Sequence, residues 1–219
     1  MNDHAASPLA HQFDDIQQQH ESDELGMWLF LATEIMFFGG LFLAYTLYRT
    51  QDEAAFAAAS HHLDLFWGSL NTAVLLVSSL TMALAVDAAQ TSQHRKLVQL
   101  LTATMVLGSV FLGIKAIEYY HKYEHGLMPI GGLPFEWEGP SAGHAELFFD
   151  LYFLMTGVHA LHMVIGLGIM ALLLVKARSG GLLGEFSVPV HITGLYWHFV
   201  DIVWVFLFPF LYLIGAHAR

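Results

Sequence analysis

Nine side chains of this 219-residue chain combine polar chemistry with apolar surroundings. Glu34 stands alone in Ala32-Thr33-Glu34-Ile35-Met36-Phe37-Phe38. An ionised carboxylate at that depth of a lipid-buried helix costs at least about 2.5–3.5 kcal/mol on insertion scales. It must therefore be protonated or paired inside a bundle. A proton relay and an interhelical hydrogen bond both answer that demand. Lys115, Glu118, His121 and Lys122 follow at helical spacing, so Lys115–Glu118 and Glu118–Lys122 are both candidate ion pairs. Glu118-x-x-His121 is also half of a di-iron carboxylate motif. No second Glu-x-x-His lies at a matching depth, so an aromatic belt with interfacial charges, formed with Tyr119, Tyr120 and Tyr123, is the better account.

His159 and His162 form the strongest case for a cofactor, because histidines on membrane helices can ligate haem or metal. They lie three residues apart on a face shared with Gly166. A ligand pair needs a facing histidine on another helix, and His198 is the well-embedded candidate. Asp201, one turn beyond His198, offers the alternative of a local His–Asp pair that satisfies both groups. Structural hydrogen bonding outweighs ligation on this pattern.

The elements that must carry these groups follow from composition. The chain is 56% apolar and 12% charged, with a mean hydropathy of +0.53 and no cysteine. A soluble domain carries about twice that share of charge. Lack of cysteine removes thiolate metal sites, iron–sulfur clusters, disulfides and thiol nucleophiles. A formal charge of −11 disfavours nucleic acid and anionic lipid surfaces alike. The chain must be inserted in a membrane. Five runs reach the roughly 20 residues a bilayer core requires: about Leu25–Tyr48, Phe66–Val86, Leu97–Ile117, Leu147–Val175 and Thr193–Gly215. Continuous rather than alternating apolarity makes them helices, not barrel strands. The fourth would be about 43 Å long and should tilt or protrude.

Residues 1–24 hold six acidic groups and no Lys or Arg, which reads as a retained acidic tail and not a signal peptide. The stretch Glu118–Glu146, with Pro129, Pro134 and Pro140, reads as a turn-rich cap on one membrane face. Arg95, Lys96, Lys176 and Arg178 on the N-terminal side stand against Arg49, Lys122 and Arg219 opposite, four to three. This margin favours an internal N-terminus. Gly40-x-x-x-Ala44, Ser109-x-x-x-Gly113, and Gly157 with Ala160 offer close-packing faces.

Taken together, the segments resemble subunit III of the haem–copper oxidases in its five-helix bacterial form. The resemblance rests on Glu34-Ile35-Met36-Phe37-Phe38, Leu70-Asn71-Thr72-Ala73-Val74-Leu75-Leu76 and Glu118-Tyr119-Tyr120. It continues through Thr156-Gly157-Val158-His159-Ala160-Leu161-His162, with Gly166, and through Tyr196-Trp197-His198-Phe199-Val200-Asp201-Ile202-Val203-Trp204. It implies an all-α bundle of five transmembrane helices over residues 25–215, in the bacterial cytoplasmic membrane, with the N-terminus cytoplasmic and the C-terminus outside. It implies a non-catalytic subunit without haem, copper or other redox cofactor, packed on subunit I beside subunit II and a small subunit IV. Bound phospholipid and support of proton uptake by subunit I are further implications. The implied complex reduces O2 to water while pumping protons, and can associate with a quinol-oxidising complex.

Glu34, Glu118, His159, His162, His198 and Asp201 match the family's intramembrane polar positions and are the lipid-cleft or proton-uptake candidates. Two extra N-terminal helices of the seven-helix form are missing. Leu195 stands where many cytochrome oxidase members have tryptophan, and His191 where they often have glutamate. The Trp-His-Phe-Val-Asp run favours cytochrome c oxidase over a quinol oxidase or a relative accompanying nitric oxide reductase. Absence of cysteine excludes the copper-bearing electron-entry subunit. The reading from another class is a haem-binding or proton-conducting protein in its own right.

Overall fold

The computed structural model describes residues 12–129, 135–178, 182–184 and 187–213. Within them every regular element is a helix: α1 (Ile16–Arg49), α2 (Glu53–Ser60), α3 (Leu65–Gln90), α4 (His94–Glu124), α5 (Ala142–Arg178) and α6 (Val188–Tyr212). All but α2 are long and apolar enough to cross a membrane. The five expected spans are therefore five helices. Their ends differ from the hydropathy limits, because helices continue beyond the lipid where capping permits. Asp15 accepts a hydrogen bond from the Gln18 amide at 2.7 Å, so α1 starts within the acidic segment that reads from sequence as a tail. At 37 residues α5 is about 55 Å long, longer than a bilayer core is thick.

Glu118–Glu146 is likewise less loop than its composition implies. Helix α4 runs on to Glu124, where Gly126 adopts φ +64°. The Leu127 and Gly126 amides then donate to the carbonyls of Lys122 (3.0 Å) and Tyr123 (3.2 Å), closing the helix end. What remains of the cap lays Trp137 against His62, Phe135 and Phe149. Pro134 and Gly215 lie outside the described residues.

Helix α2 has no counterpart among the expected elements. Asp52 caps it, accepting from the Ala55 amide at 3.0 Å. Its Phe56 is fully buried against Tyr45 of α1 and Phe148 of α5. Eight residues cannot span a bilayer, and α2 lies across one end of the bundle instead.

Helix α6 is the axis of the packing. It contacts α3, α5 and α1, while α3 packs extensively on α4. Trp197, fully buried, sits between two glycines: a Cβ on Gly108 of α4 would come within 2.8 Å of its ring, and one on Gly166 of α5 within 2.9 Å. Its Nε1–H donates to Ser78 Oγ of α3 at 3.0 Å. One indole thus registers three helices against a fourth. The small-residue faces named from spacing are not the ones used inside the chain. Nothing lies within 4 Å of a Cβ on Gly40 or Gly113, and Gly157 meets only the Tyr119 hydroxyl, at 3.9 Å. Gly68, Gly108, Gly166 and Gly194 make the close approaches.

Candidate functional site: the intramembrane polar groups

Lys115 and Glu118 face inward and form the Lys115 Nζ–Glu118 Oε2 pair at 3.0 Å, each about 5% exposed. Lys115 also donates to the hydroxyls of Tyr152 (2.9 Å) and Tyr212 (3.0 Å). Both phenols donate in turn to Glu118 Oε1, at 3.0 and 2.6 Å. Three ammonium donors meet three acceptors, and each phenol both accepts and donates. The network is closed and neutral, which is the condition under which a buried ion pair is tolerated. Rings of Tyr119, Tyr152, Trp204 and Tyr212 surround the ammonium, with centroids 4.8–5.6 Å away.

The interfacial belt inferred for this segment is therefore corrected. Tyr120 and Tyr123 are exposed as a belt requires, but Lys115 and Glu118 tie α4 to α5 and α6 inside the bundle. The Glu118–Lys122 pair does not form. Lys122 Nζ donates instead to the His62 carbonyl, pinning the α2–α3 connection to α4. Both Glu118 oxygens are occupied, so Glu118-x-x-His121 presents no free carboxylate to a metal.

Glu34 is paired across the bundle: its Oε2 lies 3.2 Å from His162 Nε2. His162 Nδ1 donates to the Val158 carbonyl at 2.8 Å, which fixes the proton on that nitrogen because a carbonyl only accepts. The hydrogen between Nε2 and Oε2 then belongs either to an imidazolium or to a protonated carboxyl. Both arrangements leave the pair without net charge in lipid. Tyr196 of α6 donates to the His162 carbonyl at 2.9 Å and lies beside its ring. Glu34 thus joins α1 to α5, with α6 as support.

The three span histidines do not converge. His162 turns toward α1. His159 is buried between Phe111 of α4 and Trp204 of α6, with ring centroids 5.4 and 5.2 Å away, and neither ring nitrogen has a hydrogen-bond partner. His198 faces α3, its Nδ1 2.7 Å from Ser79 Oγ. This overturns the local His198–Asp201 pair. Ser79 takes the imidazole, while Asp201 is buried with both carboxylate oxygens lacking a bond of normal length. Among the described residues, no group of three His, Asp or Glu side chains is arranged to hold a metal ion.

Several participants are invisible to motif reading. Tyr152, Tyr212 and Ser79 complete the networks from helices remote in sequence. Asn71, in the Leu70–Leu76 motif of α3, is fully buried with neither end of its amide bonded. Glu118, Lys122, Asp64 and His121 line a small cavity of about 60 Å³ at the loop-side end of α4. A much larger hollow of about 420 Å³ runs between α1 and α6, lined by Trp28, Ile35, Phe38, Phe42, Phe199 and Phe206 among others. Its walls are nearly all apolar. Outside the spans, Asp52 lies 3.4 Å from His144, and its carboxyl is held below the usual range chiefly by a Ser141 hydrogen bond and the α2 amide. Burial, with Lys122 nearby, pushes the His62 imidazole below its ordinary value.

A family model described as cytochrome c oxidase subunit III matches residues 14–125 and 137–216. The chain is 29% identical over 218 residues to subunit 3 of the cytochrome bo(3) ubiquinol oxidase of Pseudomonas aeruginosa, covering 99% of this chain and 97% of the relative. It is 32% identical to the quinol oxidase subunit 3 of Bacillus spizizenii, covering 87% and 86%. It is equally similar, at 32%, to the cytochrome c oxidase subunit 3 of Alkalihalophilus pseudofirmus, covering 88% and 86%.

Proposed function

Since this chain belongs to the subunit III family of the haem–copper terminal oxidases, multi-pass membrane subunits that generally lack redox centres of their own, we propose that it is a non-catalytic subunit that steadies the catalytic subunit and holds lipid beside it. The observation that carries the reading is the bonding of five of its intramembrane polar groups within the chain itself. Lys115, Glu118, Glu34, His162 and His198 are tied to other helices of the same chain, which makes them braces. The apolar α1–α6 hollow is the lipid site on this reading, and an acyl chain matches its lining.

Purification of the intact complex in mild detergent tests this. The chain should co-purify with a haem- and copper-bearing subunit, and its removal should leave the haem spectrum intact while shortening sustained turnover. A haem absorption band stoichiometric with this polypeptide alone would overturn the proposal.

The finer parts of the reading have their own supports. Cytochrome c is the proposed electron donor, on the Trp197-His198-Phe199-Val200-Asp201 run. The quinol alternative draws on the names of two relatives. A co-purifying partner with a cysteine-bound copper domain decides for cytochrome c, and its absence from the purified complex decides for quinol. The proposed orientation, N-terminus cytoplasmic and C-terminus outside, rests on the basic-residue tally. For Glu34 we expect Glu34→Gln to leave haem content and assembly unchanged and to slow proton uptake by the assembled oxidase. Uptake at the normal rate in that variant would remove the proton role and leave the carboxyl as a brace to His162.

A further inference from the structure

We propose that Tyr152 and Tyr212, which share Glu118 as proton acceptor, are a redox-active tyrosine pair that surrenders one electron and one proton to oxygen-derived radicals. Three observations carry it. The two hydroxyls donate to one and the same carboxylate oxygen, Glu118 Oε1, at 3.0 and 2.6 Å. The rings of Tyr119, Tyr152, Tyr212 and Trp204 follow one another with centroids 6.1, 6.5 and 6.4 Å apart. Glu118 also lines the small cavity at the loop-side end of α4, together with Asp64, His121 and Lys122. Membership of the terminal-oxidase subunit family enters only as the source of the oxidant, since O2 is reduced in that complex.

A phenol gives up an electron readily only when its proton can leave with it, because an oxidised phenol is a strong acid. The bases at hand separate the four rings. Tyr119 donates to Thr156 Oγ1, whose own hydrogen goes to the Tyr152 carbonyl. Trp204 Nε1–H donates to Thr72 Oγ1, which donates in turn to the Gly68 carbonyl. A neutral hydroxyl takes up no proton, whereas a carboxylate does. An electron vacancy on any of the four rings therefore comes to rest on Tyr152 or Tyr212. Lys115 sharpens the choice. Its ammonium lies 4.8–5.6 Å from the centroids of these same four rings, where it repels a cation radical but tolerates a neutral phenoxyl.

In the step itself, the electron leaves along the ring series, which is only partly buried at Tyr119. The O–H bond of the phenol breaks and its proton moves to Glu118 Oε1. A hydroxyl radical takes the electron with one solvent proton and becomes water. A one-electron reductant of the respiratory chain then restores the phenol, and Glu118 returns the proton. The cavity beside Glu118, about 60 Å³, has room for water through which that carboxyl exchanges protons with the loop side.

The test is electron paramagnetic resonance of the intact oxidase, purified in mild detergent and oxidised by flash-generated ruthenium(III) tris-bipyridine. The wild type should show a neutral tyrosyl radical that Tyr152→Phe/Tyr212→Phe lacks, while each single variant keeps the signal of its remaining phenol. Both substitutions keep the ring and remove only the hydroxyl. A signal undiminished in the double variant overturns the proposal. Glu118→Gln still accepts hydrogen bonds but takes up no proton, so it should lose the same signal with both phenols present. Full signal in that variant overturns the role of the carboxylate. If Glu118→Gln fails to enter the complex, the wild type in D2O serves, where the radical should form more slowly than in H2O. Equal rates would overturn the coupling of proton and electron. Under hydrogen peroxide the double tyrosine variant should lose oxidase activity faster than the wild type, and equal inactivation rates would overturn the protective role.

Discussion

Lys115→Met is expected to destabilise the subunit by about 3–5 kcal/mol, the scale for stranding one member of a buried ion pair. Glu118 would keep its two phenol donors but lose the ammonium it is hydrogen-bonded to, in a bundle where it is 6% exposed. Glu118→Leu should cost a similar amount, because it strands the ammonium among aromatic rings. The double variant Lys115→Met/Glu118→Leu removes both charges, leaving Tyr152 and Tyr212 neutral. It should cost less than either single change, since buried pairs replaced as a unit by apolar residues are often nearly neutral. Denaturant titration of helicity, together with retention of the subunit by the complex, measures all three. Additive losses in the double variant would mean that the charges do not act as a pair.

Gly166→Ala is the second large effect. The added methyl would stand 2.9 Å from the Trp197 ring, which has a second glycine wall, Gly108, on α4. A rigid, fully buried indole held by its Ser78 bond cannot swing aside, so strain passes to the backbones of α5 and α6. Overpacking of this kind typically costs about 1–3 kcal/mol, and here the upper half of that range is expected. Trp197→Phe should relieve part of it, so that the two changes together cost less than their sum. Gly40→Ala is the contrast: with no atom within 4 Å of its Cβ, it should cost the subunit nothing and gain up to about 1 kcal/mol of helix propensity. Equal losses at Gly40 and Gly166 would show that close approach to Trp197 does not set the cost.

These two predictions locate the boundary between sequence and structure. Spacing named Lys115 and Glu118 as a pair because residues three apart on a helix are neighbours wherever that helix lies. The same rule also offered Glu118–Lys122 and His198–Asp201, and neither forms. Helical periodicity defines a face, and what meets that face is decided by another helix. His62 and Ser79 supplied better partners from 60 and 119 residues away in sequence. Glu34 shows the favourable side of the same limit. Cost alone required that it be neutralised or paired, and the structure named His162, 128 residues distant. The glycines are similar: small-xxx-small spacing is common, but only a bulky neighbour such as Trp197 reveals which glycine is needed as glycine. Helix α2 escaped notice because eight alanine-rich residues carry too little apolar length to register as a span.

By itself, then, the sequence determined the membrane class, the five spans and the family. Each of these depends on one-dimensional quantities: apolar length against bilayer thickness, the cost of isolated charge in lipid, and residues in fixed order. Missing cysteine belongs with them, since it narrows which oxidase subunit a chain can be. The tertiary structure alone decided the pairing of the polar groups, the glycines that admit Trp197 and the hollow between α1 and α6. Those depend on how helices rotate and approach one another, and in lipid that rotation is set by packing and hydrogen bonding among all five spans at once.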